Sequence, residues 1–285
     1  MKGVCLIVVT FNRLECLKAC LAAAKANAAG ADVLVVDNAS TDGTGAWLAA
    51  QSGISVLSLP ENVGGAGGFA AGMKRAHELG YEWMWLMDDD VMPLPDGLDR
   101  LLSAAGRTGA RALQPAKLDA NGRVFEHEGI VLPKSFRRSR LTYARVFAHA
   151  DAVPCNAANF EGFFCHRAVL DEVGLPDAGF FLSWDDIHYG FRVARKMQFL
   201  YIRDVCLQKQ FNKDRFTVGG KRFLSSTPTS RFYHVRNFAR VIRMENLGGR
   251  AWLQFAYEWC KAAALTLLVN RDLKGFVRLW EARKG

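Results

Sequence analysis

The stretch Trp83-Met84-Trp85-Leu86-Met87-Asp88-Asp89-Asp90 decides how the rest of the chain is read. Five apolar residues in a row fit a strand buried on both faces, as in a parallel sheet. The three acids that follow repel one another unless something positive sits among them. Alternate side chains of an extended segment point the same way, so Asp88 and Asp90 can face one site together. Two carboxylates combined with phosphate oxygens suit Mg²⁺ or Mn²⁺. Acids also favour a helix N-terminus, but Pro93 and Pro95 interrupt any immediate helix.

Upstream, short apolar runs at 4–10, 32–37 and 55–59 alternate with helical spacing at 14–27, 44–52 and 69–79, the last closed by Gly80. Strand and helix alternating this closely predict βαβ units and a mostly parallel sheet. Each strand ends in polar or glycine-rich sequence: Thr10-Phe11-Asn12-Arg13, Asp37 to Gly43, Glu61 to Gly68, and the three aspartates. Ligands in such sheets gather beyond the carboxyl ends of the strands.

Asn62-Val63-Gly64-Gly65-Ala66-Gly67-Gly68-Phe69 lies between a strand and a helix. Its glycines let backbone N–H groups approach an anion. It is neither the dinucleotide fingerprint nor a P-loop, and a tight turn with close helix packing is the alternative. Trp184-Asp185-Asp186 opens a second helical stretch, 184–196. The indole offers a flat platform of the kind sugars stack on, and an adjacent carboxylate can take a proton from a hydroxyl. A core Trp beside an N-capping Asp is the alternative.

Beyond residue 110 the periodicity is weaker. Strands are expected at 126–132, 152–156, 160–165 and 199–202, with a helix at 167–173. The Lys/Arg-, Gly- and Ser-rich segment 212–226 reads as a mobile loop. Thr227 and Pro228 then open a helix to about Asn246, and two amphipathic helices follow near 250–269 and 272–283.

The 285 residues are 50% hydrophobic and 23% charged, which excludes a disordered or low-complexity chain. No run of ~18 apolar residues predicts a membrane-spanning helix. The run after Met1-Lys2 is too short for a signal-peptide core with its cleavage site. The seven cysteines match neither zinc-ribbon nor disulfide spacing, so reduced, mostly buried thiols in a cytoplasmic protein are expected. Residues 1–130 hold 11 Lys+Arg against 15 Asp+Glu, whereas 131–285 hold 26 against 13. The acidic part suits a metal site. The basic part suits a phosphorylated or polyanionic partner or an anionic membrane surface, with plain solvation of helix faces as the alternative. No nucleic-acid motif is present.

Together, Val8-Val9-Thr10-Phe11-Asn12-Arg13, Val36-Asp37-Asn38-Ala39-Ser40-Thr41-Asp42-Gly43 and Asp88-Asp89-Asp90 resemble the motifs of the inverting nucleotide-sugar glycosyltransferases of family 2. Within that family, the 62–69 segment and the triple Asp followed by Val91 look most like bacterial galactofuranosyltransferases. Trp184-Asp185-Asp186 and Arg231-Phe232-Tyr233-His234-Val235-Arg236-Asn237 are similar to later motifs of that group. The resemblance covers about residues 4–240. It implies an α/β protein of the GT-A fold, with a Rossmann-like, mostly parallel central sheet flanked by helices. A catalytic domain at 1–226 and a C-terminal helical region at 227–285 are expected.

The resemblance also implies roles. Thr10, Asn12, Arg13, Asp37 and Asn38 would hold uridine and its diphosphate. Asn62, Gly64, Gly65, Gly67 and Gly68 would line the donor pocket. Asp88 and Asp90 would bridge Mn²⁺ or Mg²⁺ to the diphosphate, with Asp89 beside the sugar. Asp186 would be the general base, and Trp184 and Asp185 would shape the acceptor site. Tyr233 and Arg236 would meet donor or acceptor oxygens. Two positions depart from the family pattern. The family's usual histidine metal ligand falls in Leu207-Gln208-Lys209-Gln210-Phe211, which has none, leaving the amide carbonyl of Gln208 or Gln210, or water. His188 stands where the galactofuranosyl group often has a carboxylate; it would either bind an acceptor hydroxyl or face solvent.

Basic clusters at 137–140 and 203–250 adjoin Trp-bearing helices. On these, Trp252, Phe255, Trp259 and Ala263 share one face, and Leu273, Phe276, Val277 and Trp280 another. This pattern suits an anionic membrane surface, where an enzyme extending a polyprenyl-diphosphate-linked glycan would work at the inner face of the membrane. Packing on the catalytic domain, or a homodimer contact, is the alternative. The expected reaction is transfer of galactofuranose from UDP-galactofuranose to a glycan hydroxyl. A dTDP-rhamnose donor, a nucleotidyltransferase and a degenerate glycan-binding scaffold are the rivals.

Overall fold

The computed structural model describes residues 2–126, 130–132, 137–139, 141–212, 215–218, 221–224, 226–269 and 271–283. The first third alternates β1 (Lys2–Thr10), α1 (Leu14–Asn27), β2 (Ala31–Asp37), α2 (Thr44–Ala49), β3 (Ile54–Ser58), α3 (Gly64–Glu78) and β4 (Tyr81–Asp88). All four strands are parallel neighbours in the order β3-β2-β1-β4. β1 shows why a continuous apolar run forms a strand here. Its Cys5, Ile7 and Val9 enter one core layer, with Phe69 and Met73 of α3. Val4, Leu6 and Val8 enter the other, with Leu17 and Cys20 of α1. A period of two with both faces buried leaves no polar position from Val4 to Val9.

The sheet continues through β5 (Val91–Pro93), β6 (Ala112–Leu118), β9 (Ala152–Pro154), β10 (Phe164–His166) and β11 (Phe199–Lys209), with α4 (Gly97–Thr108) between β5 and β6. Among these lie two-residue strands β7 (Val131–Leu132) and β8 (Arg137–Arg138), α5 (Tyr143–Val146), α6 (Ala168–Val173) and α7 (Asp185–Lys196). The order is β3-β2-β1-β4-β10-β6-β11-β5, with β9 on β11. β6 and β11 are parallel, and β10 joins β4 to β6 antiparallel to both. The chain ends with the hairpin β12 (Arg215–Val218) and β13 (Lys221–Leu224), then α8 (Pro228–Met244), α9 (Gly249–Ala264) and α10 (Leu273–Ala282).

Several expectations change. Segment 212–226 contains the antiparallel β12–β13 hairpin rather than a plain loop. The strand at 199–202 runs on to Lys209 through register shifts against β6; the charged pair Arg203-Asp204 masks it in sequence. The strand at 160–165 is confined to Phe164–His166. Neither α4 nor β6 was legible, since β6 carries Pro115 and a buried Lys117, residues that normally argue against a central strand. Of the strand expected at 126–132, residues 127–129 lie outside the described residues, as does Arg140 of the 137–140 basic cluster.

The C-terminal helices share a core with α3 and the segment before α7: Phe238, Val241 and Ile242 of α8 and Phe255 of α9 gather with Ala66, Phe180 and Trp184. Thr227 caps α8 as predicted, its hydroxyl accepting from the Ser230 N–H at 3.1 Å, with Pro228 as first residue. Of the apolar face read on α9, Phe255 and Ala263 are buried, Trp259 is half-buried and Trp252 is exposed, as are Leu253 and Tyr257 beside it.

Candidate active site

Register places the polar strand ends in one row. Thr10 pairs with Asp37, Asp37 with Ser58, and Val9 with Asp88. The β1 and β2 loops are then stitched together. Asn12 Oδ1 accepts from the Thr41 N–H at 2.6 Å, the Asn12 N–H donates to Ser40 Oγ at 2.9 Å, and Asp42 accepts from the Leu14 N–H at 3.1 Å. Asn12 adopts φ 52°, a left-handed conformation that Asn tolerates better than most residues.

Asn38 is buried and braces the glycine segment from below. Its amide donates to Asn62 Oδ1 and to the Gly64 carbonyl, both at 3.0 Å, and its Oδ1 accepts from the Val63 N–H at 2.9 Å. The helix expected from residue 69 begins earlier, at Gly64, so the glycines are the N-terminal part of α3. Close packing explains the glycines. A Cβ on Gly68 would lie 2.6 Å from Val9 Cγ1, and one on Gly72 would lie 2.6 Å from Ile7 Cγ2. Gly64, at φ +74°, abuts the Phe181 carbonyl, which accepts from the Ala66 N–H at 3.2 Å. Gly65 has open space where its Cβ would go. The glycines therefore seat α3 on β1 and against the loop that precedes Asp185.

Asp89 is turned into the protein. It accepts from Thr10 Oγ1 at 2.7 Å and pairs with Arg13 at 2.9 Å, and Arg13 also holds Asp90 at 3.1 Å. This differs from the expected place of Asp89 beside the sugar, and it commits the Thr10 hydroxyl to a carboxylate. Burial lifts the Asp89 carboxyl to about 6 against the pull of Arg13 and Thr10. Asp88, Asp90 and Glu161 each bring a carboxylate oxygen within 4.8 Å of the others. Burial first, then Glu161, Asp90 and Asp89, push the Asp88 carboxyl well above its usual range. Asp90 Oδ1 is buried without a hydrogen-bond partner. An all-oxygen donor set with an orphaned carboxylate oxygen fits a hard divalent cation. Glu161 was missed in the sequence; the available signal was one acid inside the apolar run 160–165. Gln208 and Gln210 turn their amide N–H groups to backbone carbonyls, of Asp119 and of Cys16 and Asp89. It is Lys209 that reaches the cluster, 2.6 Å from Glu161 and 3.9 Å from Asp90.

The loop before Asp185 is strained and tied from α8. Phe181, Ser183 and Trp184 have φ of 63°, 69° and 71°, costly for non-glycine residues unless the surroundings enforce them. The fully buried Asn237 does so, its amide donating to the carbonyls of Phe180, Leu182 and Ser183 at 2.8–2.9 Å. Arg236 donates to the carbonyls of Gly179 and Phe180 and covers the Tyr233 ring, which stacks on Phe181. The structure corrects two expectations here. Trp184 is buried and stacked on Phe238 at 4.4 Å, so that face of the indole is no open platform. His188 neither faces solvent nor lies free for an acceptor; its ring stacks on Phe180, and Nε2 lies 2.9 Å from Glu245. Burial holds His188 below its usual range despite Glu245.

Asp185 is buried, and burial, then the neighbouring Asp186, push its carboxyl up to about 8. The folded state therefore binds a proton that the unfolded chain releases near pH 4. The stability this contributes is complete below pH 4 and is lost as pH rises to 8. Asp185→Asn should consequently gain in thermal stability relative to wild type between pH 5 and pH 9. Parallel melting curves that stay equally spaced across that range would refute a buried neutral carboxyl.

A mostly parallel sheet with an acidic strand end, braced polar loops and a carboxylate pair at the rim defines the GT-A class of fold. The profile of glycosyl transferase family 2 matches residues 5–163, more than half of the chain. The galactofuranosyltransferase GlfT1 of Mycolicibacterium smegmatis is 30% identical over 298 residues, spanning 97% of this chain and 93% of that protein. Among solved structures, S. aureus TarS 1–349 superposes with a TM-score of 0.58 at 15% identity, covering 98% of this chain and 78% of that one. The mannosyltransferase PcManGT from Pyrobaculum calidifontis, in complex with GDP-Man and Mn²⁺, gives 0.56 at 18% identity, covering 98% and 73%. The chain belongs to glycosyl transferase family 2 and is a glycosyltransferase.

Proposed function

We propose that the enzyme transfers galactofuranose from UDP-galactofuranose to a hydroxyl of a lipid-linked glycan, inverting the anomeric centre. The observation that carries the reading is the contact between the two halves of the rim. The Ala66 N–H of the donor-side turn reaches the Phe181 carbonyl of the loop that leads into Asp185-Asp186. This contact supports a donor and a base that share one rim. The donor assignment is supported by the extent of similarity to GlfT1.

In this reading Asp88 and Asp90 would hold Mn²⁺ or Mg²⁺, which when bound would supply positive charge to stabilise the leaving diphosphate. Asn12, Asp37, Asn38 and Asn62 fix the strand-end loops around the nucleotide, and Gly64, Gly65, Gly67 and Gly68 form the floor beside it. Thr10 and Arg13 act through Asp89 and Asp90, orienting the acids. Asp186, at the start of α7, takes the proton of the acceptor hydroxyl as that oxygen attacks the anomeric carbon in line with the leaving UDP. Asp185, Tyr233 and Arg236 shape the loop around the acceptor. A single displacement needs one base and gives inversion. The C-terminal region 227–285 carries the acceptor or membrane contact. Leu253, Tyr257, Leu273 and Val277 are exposed there on a chain of net charge +9, which suits a peripheral place on the inner face of an anionic membrane. Among the described residues no helix is long and apolar enough to cross one.

Calorimetric titration of UDP with and without Mn²⁺, then of UDP-galactofuranose and dTDP-rhamnose, tests the donor. Metal-dependent binding selective for the uridine sugar is expected, and Asp90→Ala should lose the metal-dependent part. Preference for dTDP-rhamnose would replace the donor, and binding of neither nucleotide would leave a scaffold as the better reading.

A further inference from the structure

The acidic cluster contains cations of its own. Lys209 Nζ donates to Glu161 Oε1 at 2.6 Å and stands 3.9 Å from the otherwise unpartnered Asp90 Oδ1. Lys117 Nζ donates to Glu161 Oε2 at 2.5 Å. Both lysines are buried, and both are placed by the sheet. Lys117 pairs with Leu207 across β6 and β11, and Lys209 pairs with Val91 across β11 and β5. The next residue fixes that register: the Gln210 N–H donates to the Asp90 carbonyl at 2.8 Å, and its side chain donates to the Asp89 and Cys16 carbonyls. Strand pairing thus delivers the Lys209 ammonium to the rim beside Asp90.

Burying two ammoniums is expensive unless they are paired, and here Glu161 is their common partner. A carboxylate shared by two ammoniums is a poor ligand for a divalent ion. Of the three oxygens grouped at the rim, only those of Asp88 and Asp90 remain for a metal, and one of those two faces Lys209.

We propose that Lys209 is a resident competitor cation: it withholds Glu161 from the divalent metal, so that the metal is held firmly only when a donor diphosphate adds its own oxygens. Metal and donor then enter as a coupled pair, and Lys209 sets the strength of that coupling. The inference rests on the nucleotide-sugar reading above. By linkage, UDP must tighten Mn²⁺ by the same factor as Mn²⁺ tightens UDP.

The test is Mn²⁺ binding to the full chain, followed by the electron paramagnetic resonance of free Mn²⁺, with and without UDP. Wild type should bind Mn²⁺ weakly alone and markedly better with UDP. Lys209→Met should raise donor-free Mn²⁺ affinity by roughly tenfold or more and shrink the effect of UDP. The gain should vanish in the Lys209→Met/Glu161→Gln double variant, because it depends on releasing Glu161 Oε1, the oxygen that Lys117 does not hold. Lys209→Gln, which still donates a hydrogen bond to Glu161, takes the place of Lys209→Met should that variant fail to fold. Unchanged donor-free Mn²⁺ affinity in the folded variant, or a gain that survives Glu161→Gln, overturns the proposal. Absence of UDP binding in every form, wild type included, strikes the donor reading instead, and the donor-free comparison still decides the role of Lys209.

Discussion

Asp186→Asn is expected to lower turnover by about 10²–10⁴-fold, the range a positioned general base contributes, while UDP affinity stays near wild type. Asn has nearly the shape of Asp but cannot accept the proton of the acceptor hydroxyl. The loop geometry should survive, because it is set elsewhere: Asn237 holds the Phe180, Leu182 and Ser183 carbonyls, and Arg236 holds those of Gly179 and Phe180. The neighbouring Asp185 is a poor substitute, since burial, the larger cause of its raised carboxyl pKa, remains when Asp186 is neutralised. UDP release and acceptor glycosylation measured side by side give the result. Turnover equal to wild type would sink the base assignment.

Gly64→Ala is expected to damage the protein far more than Gly65→Ala one residue on. At Gly64 a methyl group would lie 2.0 Å from the Phe181 carbonyl oxygen, and the backbone sits at φ +74°. The conformational strain alone costs roughly 1–3 kcal/mol. Relieving the overlap must move either the start of α3 or the strained loop before Asp185. At Gly65 the same methyl group meets nothing within 4 Å, and alanine is the better helix former. Thermal melts should show Gly64→Ala several degrees below wild type, with weaker UDP binding and slower transfer, and Gly65→Ala at or above it. Equal melting temperatures for the two variants would mean that the turn and the base loop are not locked together as described.

Local signals were enough where one strand or helix specifies itself. The runs at 4–10, 32–37 and 83–87 are apolar because both faces of those strands are buried, so their identity and parallel pairing could be read directly. Thr227-Pro228 likewise announces the start of α8 through cap chemistry. The acidic pair Asp88 and Asp90 was legible for the same reason, as charge at the end of a buried strand has few packing explanations.

What tertiary structure decided are the partners that arrive from far along the chain. Glu161 comes from the turn before β10, Lys117 from β6 and Lys209 from β11, and no spacing rule links them; only the order of strands in the sheet brings them to Asp90. That α3 starts as early as Gly64 was also decided by packing: the Phe181 carbonyl, Val9 and Ile7 leave no room for side chains at residues 64, 68 and 72, whereas Gly65 has open space. Trp184 and His188 read as acceptor contacts but are held inward by Phe238, Phe180 and Glu245. The sequence by itself determined the first four parallel strands and the polar residues at their ends, because apolar runs and strand ends are local properties. Which of those residues face the rim and which brace it was decided only by folding, because burial and charge pairing depend on neighbours dozens of residues away.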